Sequence, residues 1–403
     1  MICWITDKIG TGAFEKVAEQ KGSFDILDVR QLVDKPGNSA VEVKKLIHSA
    51  LEILNQGKKI VICCDHGISR SNAIASGVIA KSKNISFYDA VRIVLDKTNH
   101  AEIKPGLLDV VQESLGSKMK NISKSKSILI TGSTGDIGRE LTPRLKNSFD
   151  TFPVSSKEIN LLKDLSLLHV LVKEKKIKTI VHLANPRVIN TNASLGEALT
   201  MLKNVIDVCL LHKCKLIFIS SLEVYAGSFQ NKIKVTSKTK LQPKGVQGET
   251  NYLCEELIRQ SSRFDQLNYC IVRMPAVYGK NCLKPKFLLN FISKAKTGRK
   301  IETHKYSNGF PFVDMLHIDD AVECIYKILK KGVVGEFSIS GKDPLSTHSI
   351  AEIVVRKLKS SSEISSISIR DKYCNIVADN QIAFKNFGWK PIRKFNEALD
   401  ELI

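Results

Sequence analysis

The sequence lacks any C-x-x-C pair, and its ten cysteines have no regular spacing. That excludes zinc ribbons and a disulfide framework, and suits reduced thiols in a cytoplasmic protein with no metal. No apolar run approaches the ~20 residues that span a bilayer, and the first residues show no basic-then-apolar leader pattern. A membrane or secreted protein is therefore not expected. Aromatic residues are sparse at 6%, and none interleave with a basic stripe, so nucleic acid is not the expected partner. Acidic residues are also short, with 41 Asp+Glu against 61 Lys+Arg. The deficit is uneven. Residues 1–115 hold 15 Lys+Arg against 14 Asp+Glu, so nearly all of the +20 charge lies beyond them. Such basicity suits anionic partners, or a solvated lysine-rich surface.

What is present divides the 403 residues into two parts. The polar Ser/Lys-rich stretch 117–126 reads as a linker between a domain over 1–116 and one over 127–403. Both parts alternate short β-branched runs with amphipathic stretches, the pattern of parallel α/β folds. Strands are expected at 59–63, 127–131, 179–183, 216–220 and 270–273. Helices are expected at 71–81 and 139–145.

Between the first of those strands and its helix stands Cys64-Asp65-His66-Gly67-Ile68-Ser69-Arg70-Ser71. A short loop entering a helix aims backbone N–H groups at one point, and the helix dipole adds positive charge. A phosphate fits that cradle, formed by residues 65–70, and the same field stabilises a thiolate at Cys64. The fork of Arg70 can hold two phosphate oxygens. Gly67 permits a backbone conformation that a side chain resists. Asp34 lies upstream in a turn, where it could swing over the cradle as acid and then base.

The stretch 1–115 resembles the dual-specificity phosphatases among the Cys-based protein phosphatases. The likeness rests on Ile5–Gly10, the Asp34 loop, the Cys-x5-Arg-Ser loop and Ser86–Ala90. It implies Cys64 as nucleophile, Arg70 as phosphate ligand, Asp34 as general acid, and Ser71 as the group that helps break the intermediate. The family commonly has His before the nucleophile. Here it is Cys63, and under oxidation Cys63 and Cys64 could close a disulfide.

The second motif, Gly132-Ser133-Thr134-Gly135-Asp136-Ile137-Gly138, follows a strand and opens a helix. Glycines so spaced allow a tight turn and close approach of a pyrophosphate. With Val181–Asn185, Ile219–Tyr225, Arg273–Gly279, Leu316–Ala321 and Phe387–Pro391, the stretch 127–403 resembles the extended short-chain dehydrogenase/reductases. These are the nucleotide-sugar epimerases and dehydratases. The resemblance implies a Rossmann-type doubly wound parallel sheet with a small C-terminal substrate lobe. It also implies pairing of two copies through helices, and NAD or NADP held by Gly132, Gly135, Asp136, Ile137, Gly138 and Ala184. Ser221 falls on the catalytic Ser/Thr position and Tyr252 on the catalytic tyrosine. Glu256 then stands where that family has lysine, and a carboxylate there would oppose a tyrosinate. Ser155 and Lys157, at the expected end of the second strand, lean toward the 2′-phosphate of NADP, with Glu158 adjacent. The five lysines of 232–244 would lie near the substrate mouth, attracting a sugar-nucleotide diphosphate or simply meeting solvent.

Two readings stay open. One is a bifunctional enzyme that hydrolyses a phosphorylated small molecule or phosphoprotein and transforms a nucleotide sugar. The other is a protein phosphatase whose second domain senses NAD(P) or recruits a partner. A phosphatase acting on RNA ends is prompted by basicity alone.

Overall fold

The computed structural model describes residues 2–20, 22–99, 101–116, 126–188 and 190–403. Most of the expected linker, 117–125, lies outside the described residues. The chain forms two compact units. The first is Met1–Ser125 with Ile159–Ile177, and the second is Lys126–Glu158 with Lys178–Ile403.

In the first unit, β1 (Cys3–Trp4), β2 (Ile9–Ala13), β3 (Phe24–Asp28) and β4 (Lys59–Cys64) form one sheet in the order β1-β2-β4-β3. The strand β4 pairs in parallel with β2 and β3, which explains its unbroken apolar run. Its helices include, in chain order, α1 (Phe14–Ala18), α2 (Ala40–Asn55), α3 (Arg70–Lys83), α4 (Phe87–Lys97) and α5 (Pro105–Ser114). Every residue of α3 from Ser71 to Ala80 is buried. Small side chains make this possible. A Cβ on Gly77 would lie 2.6 Å from Ile47 of α2 and 2.9 Å from Val111 of α5.

In the second unit, β5 (Ser127–Thr131) leads through the glycine turn into α6 (Asp136–Lys146), followed by β6 (Asp150–Val154). The helix α7 (Leu165–Glu174) then belongs to the first unit, before the chain returns in β7 (Thr179–His182). The single boundary expected near 117–126 therefore differs from the observed division. The reason is the run Ser166–Val172, all seven residues of which are buried. Ser166 Oγ accepts from the Ile103 amide at 3.1 Å and donates to the Ile103 carbonyl at 2.8 Å. His169 Nε2 lies 3.1 Å from the Asp109 carboxylate, which Lys173 also contacts. Burial opposes ionisation of Asp109, but His169 and Lys173 outweigh it and hold that carboxyl at about 2.

The second unit's main sheet has six parallel strands. Their order is Gly335–Ser338, Tyr269–Met274, β8 (Lys215–Ser221), β7, β5, β6. The long helices α8 (Asn192–His212) and α9 (Gly245–Asp265) follow β7 and β8. A smaller lobe has its own core around Leu288, Phe291, Ile292, Ile301, Ile350 and Phe395. The terminal Gly388–Pro391 segment is fixed by Trp389, whose Nε1 donates to the Asp320 carbonyl at 2.9 Å. Residues 232–235 are a strand paired with Asn375–Ala378, not a loop, and Lys234 meets Asp379 at 3.1 Å. Among the described residues no helix is long and apolar enough to cross a membrane.

Candidate functional site

The strand β4 ends at Cys64 and α3 begins at Arg70, so residues 65–69 form the tight loop expected between them. Gly67 takes φ +69° at its centre, and a Cβ there would lie 2.5 Å from the Gly12 carbonyl carbon. Only glycine fits. The Gly67 amide donates to Cys64 Sγ at 3.2 Å, and the Ser71 hydroxyl lies 3.4 Å from the same sulfur. Burial would raise the Cys64 thiol. The Ser71 hydroxyl and the amides of Ser71, Ile68 and Gly67 outweigh it and hold the thiol below its ordinary value.

Its neighbour behaves oppositely. Successive strand residues point to opposite faces, so Cys63 enters a core with Val17 and Val61. Burial, with the charges of Asp28 and Cys64, pushes the Cys63 thiol up to about 12. Both cysteines are free thiols.

Arg70, with a side chain 11% exposed, reaches across to the Asp34 segment. Its Nη1 donates to the carbonyls of Arg30 and Leu32, both at 3.1 Å, and its Nε lies 3.3 Å from the Asp34 carboxylate. Asp34 is thus already beside the cradle, on a segment that Asn38 pins. Asn38 accepts from the Val33 amide and donates to the Val33 carbonyl, each at 2.8 Å. Sequence reasoning missed Asn38, although an Asn directly after Pro36-Gly37 was a usable turn signal. Ser69 is buried and accepts from the Lys104 amide at 3.2 Å, while His66 and Ile68 are exposed.

In the second unit the glycine turn is built as its spacing requires. Gly132 takes φ +70°, and a Cβ on it would lie 2.6 Å from the Ala184 amide nitrogen. A Cβ on Gly138 would lie 2.4 Å from the Gly132 carbonyl oxygen. Gly135 caps α6, whose first residues are Asp136 and Ile137. The Asp136 side chain is turned to protein groups, accepting from Arg139 at 2.9 Å and from the Leu283 amide at 3.1 Å. At the end of β6 the Ser155 hydroxyl and amide are engaged by the Glu158 carboxylate, the amide at 2.8 Å. Ser155 is thus held by a carboxylate, and Lys157 is exposed beside it.

Ser221 ends β8 and its hydroxyl accepts from the Glu223 amide at 3.1 Å. The ring of Tyr252 packs into a small apolar cluster with Leu222, Val224, Tyr225 and Ile233. The Glu256 carboxylate accepts from Arg259 at 2.6 Å and lines an exposed groove with Leu199 and Lys203. The helix α9 meets the turn after Ser221 at Gly248, where a Cβ would lie 2.8 Å from the Glu223 carbonyl oxygen. Gln247 precedes that glycine on the helix, and one turn on Asn251 Nδ2 donates to the Gln247 carbonyl at 3.1 Å.

Sequence reasoning also missed a buried charge network. Glu255 is fully buried and accepts from Arg273 and Arg259 at 2.7 Å each, and from the Ser220 hydroxyl at 2.6 Å. Glu336 completes it, accepting from Arg259 at 2.7 Å and from Arg273. Beside it lies a cavity of about 270 Å³ lined by Tyr225, Thr236, Thr239, Arg259, Arg273 and Ser338.

Comparison with known proteins bears on both units. A model of the NAD dependent epimerase/dehydratase family matches residues 128–339. Among solved structures, dTDP-glucose 4,6-dehydratase from Bacillus anthracis, in complex with NAD, aligns with a TM-score of 0.59 at 20% identity. That alignment covers 69% of this chain and 95% of that one. UDP-glucose 4-epimerase from Thermus thermophilus, also with NAD, gives 0.60 at 15% identity, over 68% and 96%. UDP-glucuronic acid 4-epimerase from Bacillus cereus, with UDP-glucuronic acid and NAD, gives 0.59 at 20%, over 68% and 97%. At such identities the likeness is one of fold. A provisionally named tyrosine-protein phosphatase of Amsacta moorei entomopoxvirus is 36% identical over 70 residues, which is 17% of this chain. The chain spans 41% of that curated relative's length. With the family model matched over more than half of its residues, the chain belongs to the NAD dependent epimerase/dehydratase family.

Proposed function

We propose that the first unit is a cysteine-dependent phosphomonoesterase joined to an NAD-binding domain that takes a nucleotide sugar. One observation carries the first half: a buried sulfur at position 64 faces the Gly67 amide and the Ser71 hydroxyl, with Arg70 and Asp34 beside the same loop. In this reading the Cys64 thiolate attacks phosphorus. A sulfur–phosphorus bond forms as the ester P–O bond breaks, and Asp34 gives its proton to the leaving oxygen. Arg70 and the amides of residues 65–70 hold the phosphoryl oxygens. Asp34 then takes a proton from water as water attacks phosphorus and releases Cys64, with the Ser71 hydroxyl supporting the departing sulfur. The substrate is a phosphorylated small molecule or a phosphoprotein.

For the second unit, the residues present fit NAD. Gly132 and Gly138 leave room that a Cβ would fill, and the start of α6 offers amides to a diphosphate. Glu158 places a carboxylate at the end of β6, which suits a ribose hydroxyl and repels a 2′-phosphate, so NAD is preferred over NADP. Bound NAD would supply a hydride acceptor. The nucleotide sugar is suggested by the ligands in the names of the solved neighbours.

A specific observation favours a second reading of this unit, as a binding rather than a turnover domain. Tyr252 packs in an apolar cluster, and Gln247 and Asn251, one helical turn apart around Gly248, are amides that cannot form a tyrosinate–ammonium pair. The full chain assayed with p-nitrophenyl phosphate beside Cys64→Ser tests the first half. Equal rates would defeat it. NADH fluorescence titration, followed by incubation with nucleotide sugars and analysis of products, separates the two readings of the second half.

A further inference from the structure

The guanidinium of Arg70 is crowded by acceptors. Its Nη1 is committed to two backbone carbonyls. The remaining edge, Nε with Nη2, is the one from which an arginine makes two parallel bonds to an oxyanion. Two carboxylates already lie on that edge: Asp34 at 3.3 Å from Nε, and Asp65 accepting from Nη2. Asp34 has a task in the proposed chemistry. The side chain of Asp65, the residue after the nucleophile, has none. Its side chain is 51% exposed, so rotation into solvent is unobstructed on that side. Arg30 does not relieve the competition, because its own fork is closed on Asp28 by bonds of 3.0, 3.0 and 2.7 Å.

We infer that Asp65 is a specificity-determining residue: its carboxylate competes with the substrate phosphate for the Nη2 corner of Arg70 and rotates away as phosphate binds. This rests on the reading of Cys64 as nucleophile. A consequence is discrimination against phosphates flanked by further anionic groups, since Asp34 and Asp65 both lie at the Arg70 fork.

The test uses the full chain with Asp65→Ala and the near-isosteric Asp65→Asn, measuring KM and kcat for p-nitrophenyl phosphate and the Ki of inorganic phosphate. An exposed ion pair of this kind corresponds to roughly a five-fold effect. Both variants are expected to lower KM and Ki by about that factor, with a smaller change in kcat. Unchanged or higher KM and Ki, alongside hydrolysis that Cys64→Ser abolishes, would overturn the role of Asp65 alone. Absence of any Cys64-dependent hydrolysis would overturn the underlying reading with it. Should Asp65→Ala not fold, Asp65→Asn decides, because it removes the charge and keeps the shape.

Discussion

Replacing Gly67 by alanine probes the sulfur cradle without touching the sulfur. At φ +69° an L side chain costs about 1–2 kcal/mol. The added Cβ would also sit 2.5 Å, 2.7 Å and 2.8 Å from backbone atoms of Gly12 and Ala13. Backbone atoms cannot rotate aside, so the loop must move and carry the Gly67 amide from its 3.2 Å contact with Cys64. A hydrogen bond to a charged group is worth about 1.5–3 kcal/mol. At 1.36 kcal/mol per unit, its loss raises the thiol by roughly one to two pH units. The assay is the pH dependence of iodoacetamide alkylation at Cys64 in the full chain, read by peptide mass spectrometry. The wild-type profile should turn over below the free-thiol midpoint, and the Gly67→Ala profile should move alkaline by that amount. Stability has a matching signature. The folded thiol lies below its unfolded value, so its contribution is complete above the unfolded value and is lost as pH falls through the folded one. Superimposable alkylation profiles would refute the cradle.

Gly132→Ala, whose Cβ would meet the Ala184 amide at 2.6 Å, should weaken NADH binding at least ten-fold in a fluorescence titration; wild-type affinity would remove the glycine turn from the site. Burial opposes ionisation of Glu336, but Arg259 and Arg273 prevail and hold it at about 2. Its contribution is therefore full above the unfolded carboxyl value of about 4.3 and fades as pH drops toward 2. Glu336→Gln should cost about 3 kcal/mol at neutral pH in urea unfolding and flatten the acid limb, and an unaltered limb would contradict the network. Ser166→Ala leaves both backbone groups of Ile103 without their hydroxyl partner. Its urea midpoint should fall by the equivalent of about 1–3 kcal/mol with no change in slope, and a neutral result would show α7 to be loosely held.

The loop from Cys64 to Ser71 was legible because everything that shapes it is local: a buried apolar strand, one glycine, and a helix of small residues. The opposite fates of Cys63 and Cys64 also follow from strand alternation. The strand at 232–235 had its own signal, Lys-Ile-Lys-Val with alternate residues exposed and buried, masked by the density of lysines around it. The rest depended on distant residues. Glu255, Arg273 and Glu336 are far apart in sequence, and each alone reads as a surface charge. Tyr252 and Glu256 matched a four-residue spacing, yet one faces an apolar cluster and the other a guanidinium on its own helix. The apolar stretch 165–172 marks a buried helix but carries no sign of which unit buries it.

The assignment of Ile159–Ile177 to the first unit has a consequence for synthesis. A nascent chain released to residue 125 still lacks the helix that supplies His169 and Ser166 to Asp109 and Ile103. About fifty more residues must leave the ribosome, including β5, α6 and β6, before that helix arrives. At 5–20 residues per second this is a pause of roughly 3–10 s. During it the surface that later receives α7 is open to chaperones and to other nascent chains.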